Sequence, residues 1–186
     1  MNKNPVIYHH QVRIANLAVS PSSFRNQGKK NTIQETRNLL YKIDLNEFKK
    51  SLEENNFATY LDETTNLILS KLDSNLDVKW GTIRKGLNIF FRDIMYNHYL
   101  VTTLNISFSY LSQLELPLDS YTGHGVVDDI AKLQGTKLKW TTIKELTPEK
   151  SKQIQEYAET VSKNIHHLDA KVDLDLVYWR RSKSEV

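Results

Sequence analysis

Cysteine is absent from the 186-residue sequence, which excludes several kinds of chemistry. Without thiols the chain can have no disulfide framework, no thiolate zinc site, no iron–sulfur cluster and no cysteine nucleophile. No apolar run approaches the roughly 18 residues that a membrane-spanning helix needs, so we expect no integral membrane segment. Glycine and proline are also scarce, at six and four residues, whereas 39% of the residues are hydrophobic. This composition predicts a folded globular chain with a substantial core.

Acidic residues are missing from the start of the chain. The totals are nearly balanced, with 25 Lys and Arg against 22 Asp and Glu, yet the first carboxylate is Glu35. We therefore predict a basic, irregular N-terminal arm over residues 1–31 that is solvated or binds a partner. Because this arm has no clear Arg-rich amphipathic helix of the transit-peptide type, we expect a cytoplasmic protein. The basic residues ahead of Glu35 are Lys3, Arg13, Arg25, Lys29 and Lys30.

From Thr32 onward the pattern is helical. Thr32 with Glu35 and Asp44 with Glu47 have the spacing of a capping box, and Thr147 followed by Pro148 is a typical helix start. No run of alternating β-branched residues predicts a strand. The expected fold is all-α, a compact bundle of about seven or eight helices. We expect residues 32–186 to form a single domain, which can divide into sub-lobes 32–79 and 80–186 flanking a cleft.

Apolar residues at three- and four-residue spacing predict the positions of the later helices. One helix should cover roughly 57–72, and a long one should begin near Trp80 and continue to Val101. Another should begin at Ser120, and the last should run from about Leu168 to Arg181. The stretch 107–113 is ambiguous.

Three segments contain residues suited to chemistry. The long helix carries Lys85, which is either part of a binding wall or part of a solvated face. Asp119 follows a proline-bearing turn and precedes a helix, so it is either an N-cap or a carboxylate at the mouth of a cleft. The last helix combines Asp175 with Trp179. The pairs His9-His10 and His166-His167 do not predict a metal site, because adjacent helical residues point apart.

These segments, taken in order, resemble a known family. The sequence holds a lysine-containing stretch, Arg84-Lys85-Gly86-Leu87-Asn88-Ile89-Phe90-Phe91-Arg92-Asp93, and then Leu118-Asp119-Ser120-Tyr121. Leu146-Thr147 and Leu174-Asp175-Leu176…Trp179 follow. Over roughly residues 76–181 the chain is similar to the helix-hairpin-helix (HhH-GPD) superfamily of base-excision DNA glycosylases, most of all to the archaeal type of 8-oxoguanine DNA glycosylase/lyase.

The resemblance implies a glycosylase fold, a DNA partner, and roles for individual residues without any cofactor. Lys85 would attack the sugar C1′ of a flipped-out damaged nucleotide and form a Schiff base, and Asp119 would remain ionised to assist. The two side chains should then face one cleft. Asp175 and Trp179 would help to build the base pocket. The residues expected to contact nucleic acid are Arg25, Lys29, Lys30, Arg84 and Arg92.

Two alternatives remain open. Arg92 and His98 fit the arginine-to-histidine spacing of HEPN ribonucleases, which are also all-α, and this pattern would make RNA the partner. The other alternative is a non-catalytic helical domain that binds nucleic acid or protein. The sequence leaves the oligomeric state undefined.

Overall fold

The structure is a computed structural model that describes residues 4–180, and all regular secondary structure in that range is helical. This confirms the predicted all-α fold. Short 3-10 turns cover Ser74–Leu76, Phe108–Gln113, Ile143–Glu145 and Lys171–Asp173. The α-helices are α1 (Pro5–Ala18), α2 (Thr32–Leu40), α3 (Leu45–Glu53), α4 (Phe57–Lys71), α5 (Trp80–Met95), α6 (His98–Thr103), α7 (Ser120–Gln134), α8 (Pro148–Asn164) and α9 (Leu174–Arg180).

The N-terminal region is more ordered than its composition predicts. Asn4 accepts a hydrogen bond from the Val6 backbone N–H at 3.0 Å, and Pro5 occupies the first helical position. Helix α1 buries Ile14 and Ala18 and packs against α5. The prediction of an irregular arm is therefore wrong for residues 5–18, and irregular turns are confined to residues 19–31.

Side-chain caps explain where several helices begin. Asp44 accepts from the Asn46 N–H at 2.9 Å, and Thr147 accepts from the Lys150 N–H at 3.3 Å, so both are N-caps as predicted. The bond of Asp44 goes to Asn46 and not to Glu47, so the predicted capping box is a simple N-cap. The capping box expected at Thr32 is wrong. Asn31 is the N-cap residue there, with φ of 76° and no side-chain cap, while Thr32 is 3% exposed and belongs to the helix.

Two of the predicted helices are shorter than expected. The helix that begins at Trp80 ends at Met95, because Asn97 starts a new helix by accepting from the Leu100 N–H at 3.0 Å. The last helix begins at Leu174 instead of Leu168 and follows a 3-10 turn. The break after Met95 separates His98 from the helix that carries Lys85 and Arg92.

The buried apolar residues form two clusters, and the site described below lies where they meet. The first cluster is built by α1–α6 around the stacked rings of Phe48 and Phe91. The second is built by α7–α9 and the intervening loop, with Trp140 and Tyr178. The chain passes from the first cluster to the second between Leu114 and Leu116, and it returns to the first at Ala170 and Val172 before α9. The core thus divides after Leu114 and not at the expected boundary of 79/80, because α5 packs with the helices that precede it.

Among the helices of residues 4–180, none combines the length and apolar character required to cross a bilayer.

Candidate active site

A cleft of about 990 Å³ lies where the two clusters meet. One wall is formed by residues 20–27, which follow α1, and by one side of α5. The other walls are the start of α7, the loop 140–144 and α9. Segments distant in sequence thus contribute side chains to one concave surface, which is the usual setting of a binding site.

Lys85 and Asp119 lie together in this cleft. The Nζ atom of Lys85 is 3.4 Å from Oδ2 of Asp119, and their side chains are 11% and 23% exposed. Lys85 Nζ also donates to the backbone carbonyl of Ser23 at 3.3 Å. The amine is therefore held between a carboxylate and a carbonyl, close to solvent but largely covered.

Asp119 is held in place by the helix that it begins. Its Oδ1 atom accepts from the backbone N–H groups of Tyr121 at 2.8 Å and of Thr122 at 3.1 Å. In return, Oγ1 of Thr122 accepts from the Asp119 N–H at 2.8 Å, which completes a capping box. The sequence allowed two interpretations of Asp119, an N-cap or a carboxylate at a cleft. In the structure Asp119 is both. One oxygen caps α7 and the other faces Lys85.

The segment that leads to Asp119 is fixed by side chains from other elements. Gln155 on α8 accepts from the Leu116 N–H at 2.9 Å and donates to the Leu116 carbonyl at 2.8 Å. Oγ1 of Thr122 donates to the Pro117 carbonyl at 2.7 Å. These bonds satisfy backbone groups that would otherwise be buried without partners.

Arg84 does not occupy the position that a phosphate contact requires. It is 4% exposed, and its guanidinium donates to both oxygens of Glu115 at 2.8 and 2.7 Å and to Asp62 at 2.7 Å. Burial alone would lower the pKa of Arg84, but hydrogen bonds and charge from Glu115 and Asp62 outweigh it and raise the pKa above its usual value. Its burial and its internal partners argue against the expected contact with nucleic acid.

Arg92 and Asp175 lie in the cleft and bind each other. Arg92 donates through Nε and Nη2 to Asp93 at 2.9 and 2.7 Å, and through Nη1 to Asp175. Two carboxylates thus surround one guanidinium, which makes Arg92 a poor anchor for a phosphate. The pair does fix the position of Asp175 on the wall of the cleft.

Aromatic side chains stand at the rim. Trp179 is 66% exposed and Tyr121 is 54% exposed, and their ring centroids are 6.1 Å apart. Exposed aromatic rings beside a cleft can stack on a flat ligand such as a nucleobase. Trp140, from the loop 140–144, lines the deeper wall and is 7% exposed.

The basic residues of the N-terminal region occupy different positions. Arg25 lines the cleft, whereas Lys29 and Lys30 are exposed outside it. The backbone N–H of Lys29 donates to the Leu76 carbonyl at 3.0 Å, which joins this region to the α4–α5 connection.

Sequence reasoning missed Lys144, an exposed residue that also lines the cleft. Its 3-10 turn packs on the start of α5, where a Cβ atom on Gly81 would lie only 2.3 Å from the Ile143 carbonyl oxygen. A glycine at the beginning of α5 was the available signal, since it permits this close approach.

His98 stands outside the cleft. It is exposed at the first position of α6, whereas Arg92 lines the cleft on α5. Within residues 4–180, no group of three or more His, Asp or Glu side chains is arranged to hold a metal ion.

Comparisons of the chain with protein-family models, with curated proteins and with solved structures find no match.

Proposed function

We propose that the protein acts on damaged DNA as a base-excision N-glycosylase and abasic-site lyase, with Lys85 as nucleophile and Asp119 as its acid–base partner. The observation that carries the proposal is the 3.4 Å separation of Lys85 Nζ and Asp119 Oδ2 inside the cleft. An amine beside a carboxylate, both held by other bonds, is an arrangement suited to nucleophilic attack on a sugar carbon.

The chemistry begins with a nucleotide turned out of the helix into the cleft, because the sugar C1′ cannot be reached inside a stacked duplex. The unprotonated amine of Lys85 attacks C1′, the bond from C1′ to the base nitrogen breaks, and the base leaves with the bonding electrons and takes up a proton. Asp119 accepts the proton that the attacking amine loses. As a carboxylate it also stabilises positive charge that develops on the sugar.

Lyase activity follows from the same two groups. Opening of the sugar ring converts the amine adduct into a Schiff base, with the ring oxygen becoming a hydroxyl. Removal of a proton from C2′ then expels the 3′ phosphate, and water releases Lys85. Asp119 is the nearby base for the proton transfers, because its Oδ2 faces the amine.

Trp179 and Asp175 suit the departing base. The indole of Trp179 is exposed at the rim and can stack on a ring. Asp175 is held by Arg92, so its remaining acceptor capacity has a fixed direction. A cleft of about 990 Å³ has room for a nucleotide and its neighbouring phosphates.

The ribonuclease alternative receives less support. It needs Arg92 and His98 at one phosphate, but His98 lies on a different helix outside the cleft, and Arg92 is bound by Asp93 and Asp175. The non-catalytic alternative predicts binding without turnover.

The test is borohydride trapping on DNA with an abasic site and on DNA with 8-oxoguanine. The wild type should form a covalent complex on the abasic substrate, because borohydride reduces a Schiff base to a stable amine. Lys85→Gln should form none. Lys132→Gln, which changes a lysine with a 75% exposed side chain on α7, is the matched control and should trap normally.

A complex that forms equally well without Lys85 would overturn the assignment, and so would a wild type that never traps. Salt-sensitive DNA affinity without trapping would favour the non-catalytic alternative. Cleavage of RNA that His98→Ala abolishes would favour the ribonuclease.

A further inference from the structure

The largely buried pair Arg84–Glu115, whose side chains are 5% and 15% exposed, is not used by the proposed chemistry. It nevertheless joins the two segments that carry the reacting residues. Arg84 precedes Lys85 on α5, and Glu115 precedes Asp119 in the segment that crosses between the clusters. Both oxygens of Glu115 accept from Arg84, and Oε2 also accepts from Nδ2 of Asn88 at 3.1 Å. This is the two-pronged geometry in which arginine fixes both the position and the orientation of a carboxylate.

Such a pair is poorly explained as a source of stability. Removing two charges from water costs several kcal/mol, and replacing buried ion pairs with apolar residues is often neutral or stabilising. A buried ion pair fixes the relative position of two segments more dependably than it stabilises the fold. The geometry fixed here is the register of the crossing segment along α5, because Glu115 is tied to Arg84 and Asn88 while Gln155 holds the next residue, Leu116.

We propose that Glu115 is a positioning residue: bound to Arg84, it sets where Asp119 stands relative to the amine of Lys85. The segment thus meets α5 at two points, Glu115 with Arg84 and Asp119 with Lys85. The effect of Glu115 on a reaction rests on the proposed function, whereas the effect of Glu115 on the Lys85–Asp119 contact does not.

Asp62 provides a matched control. It binds the same guanidinium at the same 2.7 Å distance as Glu115 Oε1, but it belongs to α4 and its side chain is 60% exposed. Asp62→Asn therefore removes an ion pair from Arg84 without touching the crossing segment. Glu115→Gln removes one from the segment itself.

The first experiment measures the contact without any substrate. In protein labelled with ¹³C at lysine Cε, the Lys85 resonance is identified by its loss in Lys85→Gln. Its chemical shift should change when Asp119→Asn removes the facing charge. In a Glu115→Gln background that change should fall below about half of its wild-type size, and in an Asp62→Asn background it should persist, since only coupled sites deviate from additivity.

An undiminished change in the Glu115→Gln background would overturn the proposal. If circular dichroism shows that Glu115→Gln does not fold, Asn88→Ala takes its place in the same cycle. That variant removes one hydrogen bond to Glu115 and leaves the Arg84 fork intact.

The second experiment measures the rate of borohydride trapping on abasic DNA in single turnover. Glu115→Gln should lower the rate constant by about 10- to 100-fold, the scale on which a small misplacement of reacting groups acts, without changing DNA affinity. Asp62→Asn should retain the wild-type rate. Equal losses in both variants would assign the effect to general loosening around Arg84 and overturn the positioning role.

The two proposals fail separately. If the wild type never traps DNA, the proposed function is wrong, and the resonance of Lys85 still decides whether Glu115 positions Asp119. If the wild type traps DNA and the resonance cycle is additive, the function stands and the positioning role does not.

Discussion

Asp119 turns its two carboxylate oxygens to different partners: Oδ2 lies 3.4 Å from the Lys85 amine, and Oδ1 accepts from the first backbone N–H groups of α7. The start of the helix therefore fixes the carboxylate that faces the lysine. Structure and proposed chemistry share this residue but use different atoms of it.

Because the two oxygens have separate partners, we predict that Asp119→Asn and Asp119→Ala will differ in their effect on stability but not in their effect on activity. Asn is as good an N-cap as Asp, so Asp119→Asn should retain nearly the wild-type thermal stability while base excision falls by at least about 100-fold, within the range of general acid–base effects. Asp119→Ala should lose the same activity and about 1 kcal/mol of stability besides. Thermal unfolding and single-turnover excision on 8-oxoguanine DNA measure the two effects. Equal stability of the Asn and Ala variants would contradict the capping role.

Under the proposed function, Arg25 and Lys144 should contribute to the salt dependence of DNA binding. Both line the cleft, and within residues 4–180 neither has a carboxylate at ion-pair distance, so both are available to phosphates. Each of Arg25→Gln and Lys144→Gln should make the slope of log affinity against log salt shallower by about 0.9. Fluorescence anisotropy at several salt concentrations measures the slope.

Lys163→Gln is the control for that experiment, because Lys163 pairs with Glu159 at 2.6 Å on α8 and does not line the cleft. Its slope should equal that of the wild type. A control that changes the slope as much as Arg25→Gln would mean that DNA lies elsewhere on the surface.

Gly123 on α7 should not tolerate alanine. A Cβ atom there would lie 2.3 Å from the ring of Trp140, so the ring or the helix must move. Overpacking of this kind costs about 1–3 kcal/mol, more than the roughly 0.5–1 kcal/mol that replacing a helical glycine returns. Chemical denaturation should show a net loss for Gly123→Ala. His124→Ala, at the exposed neighbouring position, should stay within about 0.5 kcal/mol of the wild type.

The raised pKa of Tyr60 predicts that the protein loses stability at alkaline pH. Burial, together with charge from Asp44 and Glu47, raises the pKa of Tyr60 from 10.0 to about 12. Because the folded state favours the neutral phenol, its contribution is complete below pH 10 and is lost as the pH rises from 10 to about 12. Over that interval the slope due to this residue is at most about 1.4 kcal/mol per pH unit.

Urea denaturation of the wild type and of Tyr60→Phe should therefore diverge above pH 10. The wild type should lose stability more steeply, because phenylalanine cannot ionise. The interval from pH 7 to 9 serves as the internal control, since the difference between the two proteins should be constant there. Parallel curves up to pH 12 would contradict the assignment.

Local signals predicted most of the helices. Asp119 begins α7 and Thr147 begins α8, because a capping side chain and the residues that it caps are adjacent in sequence. The same kind of signal stands at Asn4 and Pro5, where α1 begins, and the prediction of an irregular arm did not use it. Thr32 has the spacing of a cap, but it is buried and Asn31 takes the cap position.

Contacts between residues far apart in the sequence could not be predicted from local patterns. The nearness of Lys85 and Asp119 was expected from a family resemblance, and no property of either residue's neighbours implies it. An arginine such as Arg84 is a residue type that commonly contacts phosphate. Its guanidinium binds Glu115 instead, and Glu115 comes from a distant part of the chain. Lys144 reaches the cleft because its turn packs on Gly81. Such tertiary contacts are not encoded in local spacing.

The three cations of α5 take carboxylate partners that follow it in the chain: Glu115 for Arg84, Asp119 for Lys85 and Asp175 for Arg92. Asp62 before the helix and Asp93 on it supply Arg84 and Arg92 with one carboxylate each, but the set of partners is complete only once the chain has been synthesised as far as Asp175. A product that stops before Glu115 would leave the Arg84 guanidinium with Asp62 as its remaining carboxylate partner among those described, and an inadequately compensated buried charge is strongly destabilising. A chain that ends before Glu115 should thus be less stable than the whole protein, and it also lacks the Asp119 carboxylate that faces Lys85.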